Sequence, residues 1–251
     1  MTRSPSGPLW ARLLSLPLLL IAWQLICEAE WVNPLLFPGP LAVSKALLDY
    51  LYSGSGWEDL GWSLLRVVVG YCFGAVVGVS VGLLTGTRPV INGLLTPIFQ
   101  VLRPIPPIAF VPLVVLWFGL GEGGKFFLVF WGVFFTVWLA THIGVQRVNV
   151  HLLQAAQSLG APRRAMLWTV QLPATLPSIF LGLRTAIGIA FYTLVAAELA
   201  GAYAGLAYRL EVTQQNMQVA YTMAGLVLLG VISACADRLF QWASARIVHW
   251  N

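Results

Sequence analysis

The stretch 154–173 reads QAAQSLGAPRRAMLWTVQLP and lies between long apolar segments. It is polar and basic, and Pro162 follows Gly160 by two residues. A glycine and a proline this close end one helix and begin another. The stretch therefore predicts a short helix, a break, and a second short helix that Pro173 closes. Because arginine-rich loops stay on the cytoplasmic side of a membrane, we expect this loop in the cytoplasm.

The composition indicates an integral membrane protein. Of the 251 residues, 59% are hydrophobic and only 9% are charged, and the mean hydropathy is +0.82. A soluble domain carries about 25% charged residues, so these charges are too few to cover a surface in water. The net charge of +5 does not by itself indicate nucleic-acid binding, and we expect membrane lipid and no nucleic acid as a partner.

Six apolar segments are long enough to cross a bilayer as helices. The predicted spans are residues 9–28, 59–87, 104–121, 125–146, 176–199 and 219–240, with the cytoplasmic loop 147–173 between the fourth and the fifth. The first span also has features of a signal peptide, but Cys27-Glu28-Ala29 is a poor cleavage site. The chain is thus predicted to be one all-α transmembrane domain, residues 1–251.

The distribution of Lys and Arg predicts the orientation. With both termini in the cytoplasm, nine arginines lie inside, whereas Lys45, Lys125 and Arg209 lie outside. The nine are Arg3, Arg12, Arg88, Arg103, Arg147, Arg163, Arg164, Arg238 and Arg246. Positive charge concentrates on the cytoplasmic side of membrane proteins, so the count independently places the loop 147–173 in the cytoplasm.

The second span carries a glycine at every fourth position. The four residues are Gly70, Gly74, Gly78 and Gly82. This spacing puts them on one helix face, where a neighbouring backbone can approach closely. We expect the stripe to pack in the interior of the bundle, and a role in lining a substrate path is the alternative.

Prolines predict a broken helix in the third span. Three of them follow Arg103 within four residues, and Pro112 lies well inside the apolar run. Because proline cannot stay in a hydrogen-bonded helix interior, we expect the break at Pro112. Broken helices at membrane depth often line transport paths, which makes Pro106 and Pro112 candidates for the path.

Few charged side chains lie in the spans. Glu198 is the one acid in a candidate span, and its role is structural or gating, with a solvated helix end and a pair with Arg209 as alternatives. Arg66 and Arg184 either attract an anion or extend toward the interface as helix-end residues.

The sequence does not indicate a metal site or an enzyme active site. The three cysteines are far apart without metal-ligand spacing, so we expect buried, unpaired thiols and no metal. The histidines lack metal spacing as well. No nucleotide-binding glycine loop and no nucleophile–base pair is visible, so this chain is not expected to be an enzyme.

Two motifs resemble known transporters. The loop is similar to the E-A-A-x-x-x-G-x(9)-I-x-L-P motif of bacterial ABC importer permeases. Gln154 stands in place of the usual Glu and Val170 in place of the usual Ile. The stretch 102–125, LRPIPPIAFVPLVVLWFGLGEGGK, resembles the third-helix region of the nitrate/sulfonate/taurine/bicarbonate branch of these permeases.

The resemblance implies a type I ABC importer permease fold, whose cytoplasmic coupling helix docks on an ATPase subunit. The residues it assigns to ATPase coupling are Gln154, Ala155, Ala156, Ser158, Gly160, Arg163, Arg164, Leu172 and Pro173. It also implies a homodimer, two ATPase subunits that bind ATP and Mg, and a periplasmic or lipid-anchored solute-binding protein. This chain would hold no cofactor and would lie in the bacterial inner membrane.

The function implied is import of a small anion by alternating access. An organosulfonate, alkanesulfonate or taurine, is preferred because the outer loop lacks a Trp-Asp-Glu-Trp-Asn stretch associated with nitrate and bicarbonate members, which come next. A thiamin-precursor pyrimidine and riboflavin are alternatives of the same type. A stand-alone secondary transporter is the alternative class, and it predicts inverted repeats and charges along the path.

Overall fold

The computed structural model describes residues 9–29 and 31–247, without the side chains of residues 9–13, 163 and 247. Within these ranges the chain is helical and contains no strand. The long helices are α1 (Leu9–Glu28), α3 (Ser55–Thr87), α6 (Glu122–Gln146), α9 (Leu172–Leu199) and α11 (Val219–Ile247). The shorter ones are α2 (Pro40–Tyr52), α4 (Pro89–Leu102), α5 (Val111–Phe118), α7 (Val150–Ser158), α8 (Arg163–Met166) and α10 (Leu206–Gln215).

Four of the described helices are long and apolar enough to cross a membrane, and a bent pair would make a fifth. The four are Ser55–Thr87, Glu122–Gln146, Arg164–Leu199 and Val219–Arg246. The described apolar part of α1, Leu14–Glu28, is shorter than these. The all-α membrane fold is confirmed, whereas the number of six spans stays a prediction. The N-terminal Arg3 lies outside the described residues.

The predicted third span, residues 104–121, contains only the second of two helices that meet at a sharp bend. The first helix comes from the segment that the sequence placed between the second and third spans. The segments Pro89–Leu102 and Pro107–Phe118 make an angle of 87°. The second segment begins with a 3₁₀ turn, Pro107–Phe110, and continues as α5. Placing the break at Pro112 was wrong, because Pro112 lies in the first turn of α5, where its missing N–H has no intrahelical acceptor to lose. The chain breaks instead at residues 103–106.

The core is built around α6, which packs between α3 and α9. The glycine stripe of α3 faces α6, and its packing role is confirmed. A Cβ added at Gly70 would lie 2.6 Å from Val129 Cβ, and one at Gly82 would lie 2.6 Å from Thr141 Cβ. Side chains at these positions would separate the two helices, so glycine sets their distance.

The second helix of the loop does not end at Pro173, contrary to the sequence prediction. α8 continues through a π-turn, Leu167–Gln171, directly into α9. Proline disrupts the hydrogen bond to the preceding turn, and the wider π-turn before Pro173 lets the helix axis continue across it. The coupling segment is therefore rigidly joined to the span that follows.

The cysteines differ from expectation in their surroundings. Cys72 and Cys235 are exposed on the surface of α3 and α11, and Cys27 is half-buried. All three are free thiols. Exposed apolar side chains surround the helices at many positions, which suits a surface in contact with lipid.

Candidate coupling loop and transport cavity

Helix α7, which is the predicted coupling helix, has a well-defined start and end. Asn149 caps it, since its side chain accepts a 2.9 Å hydrogen bond from the backbone N–H of His151. At the other end Gly160 has φ of +78°. The N–H of Ala161 donates to Ala156 O at 3.0 Å and the N–H of Gly160 donates to Gln157 O at 2.9 Å. This is a Schellman motif, so the glycine that matches the family motif is required by backbone conformation.

The predicted coupling residues divide into a surface set and an anchoring set. The exposed residues are Gln154, Ala155, Ser158, Gly160 and Arg164. Ala156, Leu172 and Pro173 are half-buried, and α7 contacts α8 and the π-turn Leu167–Gln171 that precede α9. The side chain of Arg163 lies outside the described part of the chain. Val150, Leu152 and Leu159 are also exposed, Leu159 at 88%, so α7 presents an uncovered apolar surface next to the motif.

A buried ion cluster ties three helices together at the opposite end of the bundle. Arg66 of α3 donates from Nε and Nη2 to the two carboxylate oxygens of Glu122, at 2.7 and 2.8 Å. Its Nη1 donates to Glu198 of α9 at 3.0 Å and to the carbonyl oxygen of Ala204 at 2.7 Å. Arg66 is therefore a fully paired interior cation, and its assignment as a helix-end residue was wrong.

Glu198 is a buried carboxylate, and both of its oxygens accept hydrogen bonds. Besides Arg66, it accepts from Ser63 Oγ at 2.5 Å and from the backbone N–H of Ala207 at 2.7 Å. It is completely buried, so the alternative of a solvated helix end is excluded. Gly205 has φ of +140°, and a Cβ there would lie 2.5 Å from the Glu198 carboxylate. The carboxylate thus occupies the space that glycine leaves.

Arg209 pairs with Asp59 at 2.9 Å, and the predicted pair with Glu198 was wrong. Asp59 also accepts from the backbone N–H of Gly205 at 2.8 Å and from the hydroxyl of Tyr50 at 2.7 Å. Burial and the hydrogen bond to Asp59 raise the pKa of Tyr50 far above the ordinary value. This second pair fastens α2 and α10 to the start of α3.

A cavity of about 580 Å³ opens on the face that α6 and α9 share. Its lining includes the whole break 103–106, so Pro106 lies on the cavity wall as predicted for a path residue. Pro112, Glu198 and Arg184 do not line it. Arg184 instead pairs with Asp237 of α11 at 2.9 Å. The break between α4 and α5 therefore lines the cavity, and of the two predicted prolines only Pro106 contributes to its wall.

The cations on the cavity wall are Arg103 and Arg147, which the sequence identified only as cytoplasmic charges. The polar lining is completed by the hydroxyl groups of Thr136, Ser178, Thr185, Tyr192 and Thr193. Both arginines follow directly on a helix end, and this position is the one signal in the sequence that could have drawn attention to them. No group of three or more His, Cys, Asp or Glu that could hold a metal occurs among the described residues.

Sequence reasoning also missed a buried polar chain at the loop end of α6. Thr85 Oγ1 accepts from the indole N–H of Trp138 at 3.1 Å and is 3.0 Å from His142 Nδ1. Gln146 Nε2 is 3.0 Å from His142 Nε2. These contacts hold α6 against α3 just before the coupling loop.

A bundle of apolar helices with a bent helix pair, a capped surface helix and an open lateral cavity is the arrangement of a polytopic membrane protein. The sequence pattern described as binding-protein-dependent transport system inner membrane component matches residues 74–249. The chain belongs to this family, and it is the non-catalytic membrane component of an ABC transporter.

Individual relatives cover nearly the whole chain. The taurine transport system permease protein TauC of Escherichia coli strain K12 is 33% identical over 94% of this chain and 88% of its own. The putative aliphatic sulfonates transport permease protein SsuC of Bacillus subtilis strain 168 is 32% identical over 96% of this chain and 88% of its own. The branch indicated by stretch 102–125 is thereby confirmed.

A solved structure confirms the fold. A chain of the MetNI methionine ABC transporter, in an inward-facing conformation, superposes with a TM-score of 0.61 at 23% identity. The match covers 76% of this chain and 94% of that one.

Proposed function

We propose that this chain is the permease of an ATP-driven importer that carries a small anion, an organosulfonate in the first place, from a binding protein to the cytoplasm. The observation that carries the proposal is α7: a capped helix with an uncovered apolar surface, at the arginine-rich end of the bundle, in the motif that couples such permeases to an ATPase. Both termini would lie on the same cytoplasmic side, and the ATPase subunits would bind the ATP and Mg.

The connection from α7 to the bundle supports transmission of force. α7 leads through the Schellman turn at Gly160 into α8, and α8 continues into α9 without a break. α9 supplies one wall of the cavity. Displacement of α7 by ATPase closure would therefore rotate a wall of the cavity, and this is how alternating access would open the path to the binding protein and close it again.

The open side of the cavity supports a homodimer. Leu181 and Tyr192 of α9 line the cavity and are 65% and 64% exposed. A second copy related by a two-fold axis would close the cavity into a path, because a two-fold contact brings the same face of both copies together.

The names of the relatives support the substrate class. TauC is named for taurine and SsuC for aliphatic sulfonates, and each matches more than nine tenths of this chain. An organosulfonate is thus the first candidate, and nitrate or bicarbonate come next. A thiamin-precursor pyrimidine or riboflavin would be carried by the same mechanism.

The test is reconstitution of the chain in proteoliposomes with a cognate ATPase and solute-binding protein. ATP hydrolysis and uptake are measured with ethanesulfonate, taurine, nitrate, bicarbonate, a pyrimidine and riboflavin. We expect an organosulfonate to stimulate hydrolysis. Ala156→Glu and Gly160→Glu should abolish that stimulation, because a bulky acid blocks docking and, at position 160, opposes the positive φ.

The control adds the same charge at the other end of the molecule. Asn216 is exposed in the turn after α10, and Asn216→Glu should leave stimulation unchanged. If no ATPase copurifies and the loop variants transport normally, the chain works as a stand-alone secondary transporter and the proposal is wrong.

A further inference from the structure

Arg103 and Arg147 combine two properties: neither has an acidic partner in the described part of the chain, and both line one cavity. Arg88, Arg238 and Arg246 also form no ion pair there, but they do not line the cavity. Arg66, Lys125, Arg184 and Arg209 each form an ion pair. In the described part of the chain, Arg103 and Arg147 form none, both are exposed, and both line the same cavity. The cavity lining contains no Asp or Glu, so its electrostatic potential is positive.

The two arginines lie at different depths along α6. Phe99, just before the break, packs its ring 5.5 Å from Phe134 and 5.0 Å from Trp138. Phe110, just after the break, packs 4.6 Å from Trp131. The break that carries Arg103 therefore lies beside the middle turns of α6.

Arg147 follows the last residue of α6, twelve positions beyond Phe135, which also lines the cavity. At a rise of 1.5 Å per residue the two levels are about 18 Å apart.

The place of Arg103 beside the middle turns of α6 differs from its predicted position on the cytoplasmic side. An unpaired cation at this level of the bundle requires an explanation. Ionisable side chains inside a membrane normally pair with one another or face a path. Each arginine also follows the carboxyl end of a helix, where a positive charge interacts favourably with the helix dipole. That interaction explains a contribution to stability, but it does not explain why the two side chains share one cavity.

We propose that Arg103 and Arg147 form two successive binding positions for the oxyanion group of the substrate, one halfway along the path and one at its cytoplasmic exit. This inference rests on the proposed function, since it concerns the path of that importer. In a homodimer each position would hold two guanidinium groups, and rings of arginine are a known means of selecting anions.

Hydroxyl groups complete the positions. The hydroxyls of Thr136, Thr185 and Thr193 donate to backbone carbonyls of their own helices. Within the described part of the chain the hydroxyls of Ser178 and Tyr192 make no such bond, and both residues line the same cavity. A sulfonate has three acceptor oxygens and no donor, so arginine together with free hydroxyl groups suits it.

The experiment uses the complete complex in proteoliposomes with radiolabelled ethanesulfonate, which carries no ammonium group. Arg103→Gln and Arg147→Gln are compared with the wild type in uptake, in stimulated ATP hydrolysis and in thermal stability. Loss of one charged hydrogen-bonding group should lower the uptake per ATP hydrolysed by about tenfold or more. Hydrolysis and thermal stability should change little, because neither side chain has a partner within the described part of the chain.

Two further variants separate the proposal from a general loss of charge. Arg88 is exposed at the amino end of α4 and does not line the cavity, so Arg88→Gln should transport like the wild type. Arg103→Lys keeps the charge and should recover most of the uptake. The proposal would be overturned if the double variant Arg103→Gln/Arg147→Gln had the uptake and the KM of the wild type. It would also be overturned if Arg88→Gln lost as much uptake as the two single variants.

Uptake by the wild type tests the proposed function, and uptake by the arginine variants tests the two anion positions. If the wild-type complex takes up none of the oxyanions, the proposed function is wrong and the anion positions fall with it. If the wild type imports ethanesulfonate and the arginine variants import it equally well, only the inference about Arg103 and Arg147 is wrong.

Discussion

Arg66 and Glu198 form a buried ion pair of 3.0 Å although 132 residues separate them in the chain. Arg66 holds Glu122 at the same time through two further hydrogen bonds. The guanidinium group thus joins α3, α6 and α9 at the end of the bundle opposite the coupling loop. In the proposed importer, this junction would be the point about which the helices rock when α7 moves.

Glu198→Gln should destabilise the protein strongly. The substitution leaves the buried Arg66 with one carboxylate fewer, and removal of one partner of a buried ion pair costs about 3–5 kcal/mol. Thermal unfolding in detergent measures the effect. Glu58 is exposed at the start of α3, so Glu58→Gln should unfold at the wild-type temperature. Equal stability of all three proteins would show that the pair contributes nothing.

The glycine stripe should be intolerant of side chains on one face only. A Cβ at Gly74 would lie 2.9 Å from Val133 Cβ and 3.0 Å from the carbonyl oxygen of Phe130. We expect Gly74→Val to cost about 1–3 kcal/mol through overpacking. Gly61 lies on the same helix, where an added Cβ would meet no neighbouring atom within 4 Å, and Gly61→Val should be nearly neutral. The comparison is a pair of melting curves, and similar curves would contradict the packing role.

The sequence was most informative where local spacing determines geometry. A glycine every four residues sets the distance between two helices wherever the partner helix lies, so the stripe in α3 could be predicted without knowing that α6 is its partner. The same holds for Gly160, because a positive φ is a property of one residue. The two hydrogen bonds of the Schellman motif then form between backbone groups of residues 156–161.

Long-range pairing could not be predicted in this way. Glu198 has Arg209 eleven residues away in the sequence, yet it pairs with Arg66. α3 packs parallel to α6 and α9 packs antiparallel to both, and this arrangement brings the distant residues together. The break between α4 and α5 was misplaced for a related reason. A proline is compatible with both a helix break and a first helical turn, and only the bend at 103–106 shows that Pro112 occupies a first turn.

Tyr50→Phe should weaken the attachment of α2 to α3. Tyr50 donates a 2.7 Å hydrogen bond to Asp59, and loss of a donor to a buried charged acceptor costs about 1.5–3 kcal/mol. We expect a lower melting temperature at neutral pH. Tyr52 is 87% exposed, so Tyr52→Phe is the matched control and should melt like the wild type.

The difference in melting temperature between the wild type and Tyr50→Phe should depend on pH in one direction. The raised pKa of Tyr50 keeps the hydroxyl protonated in the folded protein, whereas an unfolded tyrosine loses its proton above about pH 10. The stabilisation is therefore present below about pH 10 and is lost as the pH rises further. The difference in melting temperature between the wild type and Tyr50→Phe should shrink above that pH, and a constant difference would contradict the assignment.

Cysteine cross-linking should detect the homodimer across the cavity. Cys27, Cys72 and Cys235 are free, and two of them are exposed, so they are first replaced by serine. Leu181→Cys should then give a covalent dimer with a short bifunctional maleimide, because Leu181 lines the open side of the cavity. Leu226 of α11 is 57% exposed and does not line it, so Leu226→Cys should stay monomeric. Cross-linking at position 226 instead would place the two-fold axis on another face.

Gln154→Glu should strengthen the contact with the ATPase. The importer-permease motif that this loop resembles carries Glu at this position, and the Gln154 side chain is exposed at the surface of α7. A single exposed ion pair contributes about 0.2–1 kcal/mol, which corresponds to an increase in affinity of up to about fivefold. Titration of the permease in detergent with the purified ATPase measures the change. Added salt should remove the gain, because it screens exposed charges.

Gln157→Glu adds the same charge one turn further along the same helix, where the motif has no acid, and should leave the affinity unchanged. An equal gain at both positions would mean that the ATPase surface attracts any negative charge on α7, and that position 154 has no specific partner there.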